Sequence, residues 1–213
     1  MLGVVAVGAG VARWMEPRRR ALRKLARFPL RRIEELKDGE QARVVANVRE
    51  GSGTYTSPVT DRACIGYRFV VEEKSGGGAG EQWRTVASET TCAPSLTLVD
   101  GGSELSVEGP FLFGLDFDDA GETWSNLPPG VFRVLEQVGA SLAGPFGGDK
   151  QFRFREAILR AGDRIAVCGR ATVEVSAQGA REQLRSPPLH RALQGNPSEP
   201  VVIADAPDDD EVS

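Results

Sequence analysis

Histidine is nearly missing from this 213-residue chain, which has one, and cysteine is little better represented, with three. Zinc centres and nucleophilic Cys–His or Ser–His catalysis draw on these residue types, so their scarcity narrows the chemistry at once. Cys64, Cys92 and Cys168 lie far apart with no Cys-x-x-Cys pair, and the lone His190 stands in SPPLHRALQ. Each cysteine falls within or beside an apolar run, where a free thiol packs as a small hydrophobe, and an odd number makes no complete disulfide framework. A reducing compartment is expected, with no zinc, no thiol nucleophile and no cofactor. Also absent is an apolar run of ~20 residues, the length that spans a bilayer. Gly76, Gly77, Gly78 and Gly80 lack the Gly-Lys-Ser/Thr ending of a phosphate loop. Asp116, Asp118 and Asp119 depart from the spacing of an EF-hand, so they read as a solvated acidic loop.

What the chain does have is basic charge gathered at one end. Between Arg13 and Arg32 nine basic residues stand against Glu16 alone, a local +8 in a chain of net −4, so the remainder carries −12. An acidic body offers no lysine and arginine face to a phosphate backbone, which argues against nucleic acid as a partner. Residues 2–12, LGVVAVGAGVA, are wholly apolar and are followed by Arg13 and Trp14. That order marks the cytoplasmic end of a membrane anchor. A signal peptide would carry its basic residues before the apolar run. A dinucleotide fingerprint fails because Arg13 stands where the third glycine after Gly8 and Gly10 belongs.

Residues 1–15 are therefore expected to anchor the chain, and 16–35 to form a basic amphipathic helix that Pro17 opens and Pro29 stops near Phe28. The membrane contacts expected are Leu2, Val4, Val5, Val7, Val11 and Trp14 in the apolar run. Arg18, Arg19, Arg20, Arg23 and Lys24 would lie on an anionic leaflet.

From 36 to 176 the apolar period becomes two. Val44, Ala46 and Val48, then Ile65, Tyr67, Phe69 and Val71, alternate with other residues around breakers at Gly51, Gly53 and Pro58, predicting a long antiparallel hairpin over 42–73. Its register puts Tyr67 and Phe69 inside and Arg68 in solvent. Leu96 and Leu98, then Leu105 and Val107, flank an Asp-Gly turn and predict a second hairpin. Phe152, Phe154, Ile165 and Val167 predict further strands. Val131, Leu135, Val138 and Leu142 recur at helical spacing and predict one helix packed on the sheet. Residues 177–213 are proline-rich and acidic, a tail with a short edge strand at 201–203. The fold class is mainly β: one domain over 36–176, a small barrel or curled antiparallel sheet of about six to eight strands with one or two helices.

Several of these segments together resemble a known family. The run Ser57, Pro58, Thr60, Arg62, Cys64, Tyr67, followed by Trp83, by Asp100 after its strand, and by Glu156, Gly162, Asp163 and Gly169 in EAILRAGDRIAVCG, is similar to the GIDE/MULAN domain. That domain lies beside the membrane in a mitochondrial RING-type E3 ubiquitin ligase and occurs in bacterial membrane proteins. The resemblance implies a membrane-proximal module, with its soluble part on the cytoplasmic side, that binds an unidentified protein partner. The family's ligase activity resides in a RING of eight cysteine and histidine ligands, and this sequence has four such residues. A non-catalytic binding or scaffold module is thus the expectation. Ubiquitin transfer through a separate catalytic part, or an unidentified hydrolase, are the alternatives.

Overall fold

The structure, a computed structural model, describes residues 15–51, 53–75, 82–123, 127–143, 150–175 and 189–206. Its first elements are helix α1 (Met15–Leu25), a single 3-10 turn (Ile33–Glu35) and strands β1 (Gln41–Gly51), β2 (Tyr55–Thr56), β3 (Ala63–Cys64), β4 (Gly66–Ser75) and β5 (Gln82–Cys92). Next come β6 (Ser95–Asp100), β7 (Ser103–Glu108), β8 (Phe111–Phe113), β9 (Asp118–Thr123) and helix α2 (Pro129–Gln137). Last are β10 (Phe152–Leu159), β11 (Arg164–Val175), β12 (Leu189–Gln194) and β13 (Val201–Asp205). The protein is mainly β, as its alternating runs predict.

The chain forms two compact units instead of the one expected over 36–176. A barrel unit takes Pro17–Gly53, Ala93–Leu115 and the chain from Arg160 onward, and a sheet unit is built mainly from Thr54–Cys92 and Asp116–Leu159. The sheet unit therefore occupies two connections of the barrel, between β1 and β6 and between β8 and β11.

In the barrel, β1 pairs antiparallel with both β6 and β11, β6 with β7, and β11 with β12, while β7 and β12 close the ring in parallel. Counted along the chain, the ring order is one-two-three-five-four, the connectivity of a five-stranded Greek-key barrel of the OB type. Directly opposed residues share a face. Val44 faces Val167, Ala46 faces Ile165, Leu98 faces Leu105 and Leu96 faces Val107, and all are buried. These are the inward positions that the period-two pattern marks. The β6–β7 turn is the expected Asp-Gly one, with Gly101 and Gly102 both at positive φ, 55° and 87°.

The opposite face of β11 is also apolar. There Ala166 and Cys168, with Val202 and Ala204 of β13, receive Ala21 and Leu25 of α1, which lie one turn apart. The helix spans 15–25, ending three residues before the stop expected near Phe28, and Leu22 stays exposed.

The sheet unit is an antiparallel sheet in the order β5-β4-β10-β9. Val131, Val134 and Leu135 of α2 cover one face, meeting Tyr67, Phe69, Val71, Phe152 and Phe154. This is the single helix on a sheet that the sequence predicts.

Four further expectations are corrected. The 42–73 hairpin does not form: β1 pairs with β6 and β11, and β4 with β5 and β10. Alternation reports that a strand buries one face and is silent about its partner. Arg68 is buried and not in solvent. The acidic segment at 118–119 is the start of β9, paired with β10, and not a loop. The chain beyond 176 is no mere tail, since β12 completes the barrel ring and β13 lies between β8 and β11 instead of at an edge.

Candidate functional site

The residues of the family-like motif separate into two groups. Asp100, Gly162, Asp163 and Gly169 belong to the barrel, where they shape turns and packing. Asp163 accepts the Arg160 N–H at 2.7 Å through Oδ2, and the Gly162 N–H, from a residue at φ 91°, donates to Val48 O at 2.6 Å. Gly169 faces Ala42 inside β11.

In the sheet unit, Ser57, Thr60 and Glu156 come together although Glu156 lies 99 residues from Ser57. The Ser57 hydroxyl donates to Glu156 Oε1, Thr60 Oγ1 donates to Oε2 at 2.6 Å, and the Val59 N–H reaches Oε1 at 3.3 Å. The Thr60 N–H donates back to Ser57 Oγ at 3.1 Å, a hydroxyl turn that holds the loop. Gly130 of α2 packs on the same loop so closely that a Cβ there would lie 1.6 Å from Pro58 O. A serine beside a carboxylate has the ingredients of a nucleophile and its base, but Ser57 is 0% and Glu156 1% exposed. Both are closed off from solvent, and the carboxylate already accepts three hydrogen bonds. The cluster is a tie between a loop and β10.

The neighbouring motif residues are structural too. Cys64 is buried with its thiol 3.6 Å from Tyr55 O. The Tyr67 hydroxyl donates to Glu89 at 2.7 Å, and burial raises its pKa to about 12. Arg62 is exposed, and its carbonyl accepts the Ser57 N–H at 2.9 Å.

The sheet unit also buries charge, which the alternating pattern did not foretell. Glu72 of β4, 1% exposed, accepts from Arg153 of β10 at 2.7 and 2.9 Å, with Arg155 Nε at 3.9 Å. The ring of Trp83 lies 4.5 Å from the Arg153 guanidinium, and Phe117 lies 4.9 Å from that of Arg68. These aromatic faces explain how an arginine read as solvent-facing becomes buried: its stem packs and its charge meets a π-system. Burial lowers the Arg68 pKa. Glu73 is held by Lys150 at 3.1 Å and Arg84 at 3.3 Å. The signal for this strip was present in the sequence as Arg and Glu at alternate positions flanked by aromatic residues, a pattern equally suited to an exposed face.

Among the described residues no group of histidine, cysteine, aspartate and glutamate is arranged to hold a metal. Cys64 and Cys168 are buried, and burial pushes the Cys168 thiol up to about 11. His190 is exposed on β12, its Nε2 3.1 Å from Ser106 Oγ. The face that OB barrels use for ligands, β6 with β7, presents Thr97, Glu104, Ser106 and Glu108 outward, without an aromatic or a basic residue on those two strands. Such a face is unsuited to a polyanion.

The basic helix offers a different surface. Ala21 and Leu25 turn α1 onto the barrel, which leaves Arg19, Arg20 and Arg23 exposed, with Arg27, Arg31 and Arg32 exposed after it. Arg18 is half-buried, and Lys24 donates to Pro200 O at 2.8 Å, which ties Lys24 to the barrel unit. Leu2, Val4, Val5, Val7, Val11 and Trp14 lie outside the described residues. No helix among the described residues is long and apolar enough to cross a membrane.

No protein-family model matches this chain, no curated protein matches it, and no solved structure matches it.

Proposed function

We propose that the chain is a non-catalytic, membrane-proximal binding module, a scaffold for a protein partner on the cytoplasmic side. The observation that carries this reading is the two-sidedness of α1: its apolar stripe is consumed by the barrel, and Arg19, Arg20 and Arg23 remain exposed on the other side. A helix fixed this way presents charge without having to bury its own apolar face in lipid. Each basic residue near an anionic leaflet contributes about 1 kcal/mol. The apolar residues 2–12 immediately upstream, and the order of the GIDE/MULAN-like segments, support the same reading.

Sedimentation of the full chain with vesicles of phosphatidylserine in phosphatidylcholine tests it. Replacing Arg19, Arg20 and Arg23 by glutamine should remove about 3 kcal/mol, a fall of roughly two decades in affinity. Unchanged binding, or equal binding to neutral vesicles, would sink the proposal.

A further inference from the structure

Beside α1 the outer wall of the barrel carries a row of polar residues on adjacent strands. Gln41 of β1 is opposed to Arg170 of β11, Arg170 is opposed to Gln194 of β12, and Gln194 to Glu108 of β7. The Gln194 amide is already committed, donating to Glu108 at 3.1 Å. Arg170 and Gln41 are not: among the described residues neither side chain makes a hydrogen bond or an ion pair.

Gln41, Arg170 and Gln194 line an open cleft of about 240 Å³ together with Lys24, Gly169 and, from the loop after β12, Gly195, Asn196 and Glu199. The Lys24 ammonium is fixed by one bond to Pro200 O, which leaves two of its N–H groups to spare. The loop is held from within, since Asn196 Oδ1 accepts the Ser198 and Glu199 N–H groups at 3.0 and 2.9 Å. The Glu199 carboxylate shares the cleft with Arg170, yet the two do not pair among the described residues. Two cations, one carboxylate and a free amide thus converge on a space smaller than the ~300 Å³ at which drug-sized pockets begin.

We infer that this cleft takes a phosphoglycerol group, with the phosphate on Arg170 and Lys24 and the glycerol hydroxyls on Glu199 and Gln41. A guanidinium binds phosphate oxygens with two parallel bonds. A phosphate alone would leave the carboxylate repelling it, whereas adjacent hydroxyls turn Glu199 into an acceptor. Lys24 follows Arg20 by one helical turn, so the cleft borders the basic face. The inference deepens the membrane reading and rests on it for the lipid source of the group.

The chemistry is shared by free glycerol 3-phosphate and by phosphatidylglycerol, and both are used as probes on the full chain. Titration with glycerol 3-phosphate, followed by amide chemical shifts, should move Arg170, Gln194 and Gly195. Arg170→Gln should weaken that binding about tenfold or more, with Arg170→Lys intermediate because it keeps charge and loses the fork. Phosphatidylglycerol vesicles should bind more tightly than phosphatidylserine vesicles of equal charge density. Arg170→Gln should abolish that preference and leave phosphatidylserine binding intact. Saturable glycerol phosphate binding with no vesicle binding would keep the cleft and overturn the membrane reading. No shift at the cleft with glycerol 3-phosphate, or a lipid preference unchanged in Arg170→Gln, would overturn the cleft.

Discussion

The barrel unit and the sheet unit solve the same problem, burying strands on more than one face, with different residues. In the barrel, the inward face and the face under α1 are both aliphatic: Val44, Ile165 and Leu98 on one, Ala166, Val202 and Ala204 on the other. In the sheet unit, one face is aliphatic and aromatic beneath α2, while Arg68, Glu72, Arg153 and Arg155 alternate with it. Truncating an apolar side chain loses its own burial and leaves a cavity, but strands no charge. A buried charge is tolerable only with its partner in place, so the sheet unit is the one in which single substitutions propagate.

That contrast can be broken or sharpened by substitution. Glu72→Ala leaves Arg153 and Arg155 without their shared carboxylate and should cost about 3–5 kcal/mol in chemical denaturation. Replacing Glu72 and Arg153 together by leucine should recover most of it. A double variant as damaged as the sum of its singles would show that the strip is not a coupled network. Leu98→Ala in the barrel should cost about 2–5 kcal/mol, and here no partner substitution should rescue. Glu156→Gln, which weakens the tie to Ser57 and Thr60, should cost about 1–3 kcal/mol. A change below ~0.5 kcal/mol would mean that the loop is held by packing alone.

The smallest effect is one of pH. Tyr67 in the folded sheet unit holds its proton to about 12, against 10.0 for the ordinary phenol. The folded state therefore binds more protons than the unfolded one in that window, so this contribution is intact below pH 10 and is lost as pH rises through 12. Tyr67→Phe should flatten that part of the stability profile. The barrel holds no tyrosine among the described residues and supplies no counterpart.

The same contrast decides what could be read without coordinates. Alternating valine, leucine and isoleucine disclose the barrel strands, and the Asp100-Gly101 pair discloses the turn between two of them, because the inward face of each strand is aliphatic. Helix α2 was legible for the same reason at a period of 3.6. The sequence context of Arg68 is that of a solvent-facing residue, and its burial, with its guanidinium over the ring of Phe117, is set by contacts distant in the chain. The convergence of Ser57, Thr60 and Glu156 is a long-range contact that local periodicity does not encode. Strand partners are illegible on the same ground: β1 and β4 are consecutive long alternating runs, yet they pair in different sheets. The cleft at Arg170 depends on register across three strands and on the docking of α1, and no single segment announces it.

The order in which the barrel strands occur has a consequence during synthesis. β1 ends at Gly51, and its partner β11 starts at Arg164, 113 residues later. At ~5–20 residues per second on the ribosome, β1 waits roughly 6–23 s for one of its two neighbours to exist. The β4–β5 hairpin needs only its own short connection and is available long before. Nascent chains released before β12 and β13 emerge should therefore carry a formed hairpin beside an open barrel whose β7 and β8 edges lack their parallel partners, a species suited to capture by chaperones.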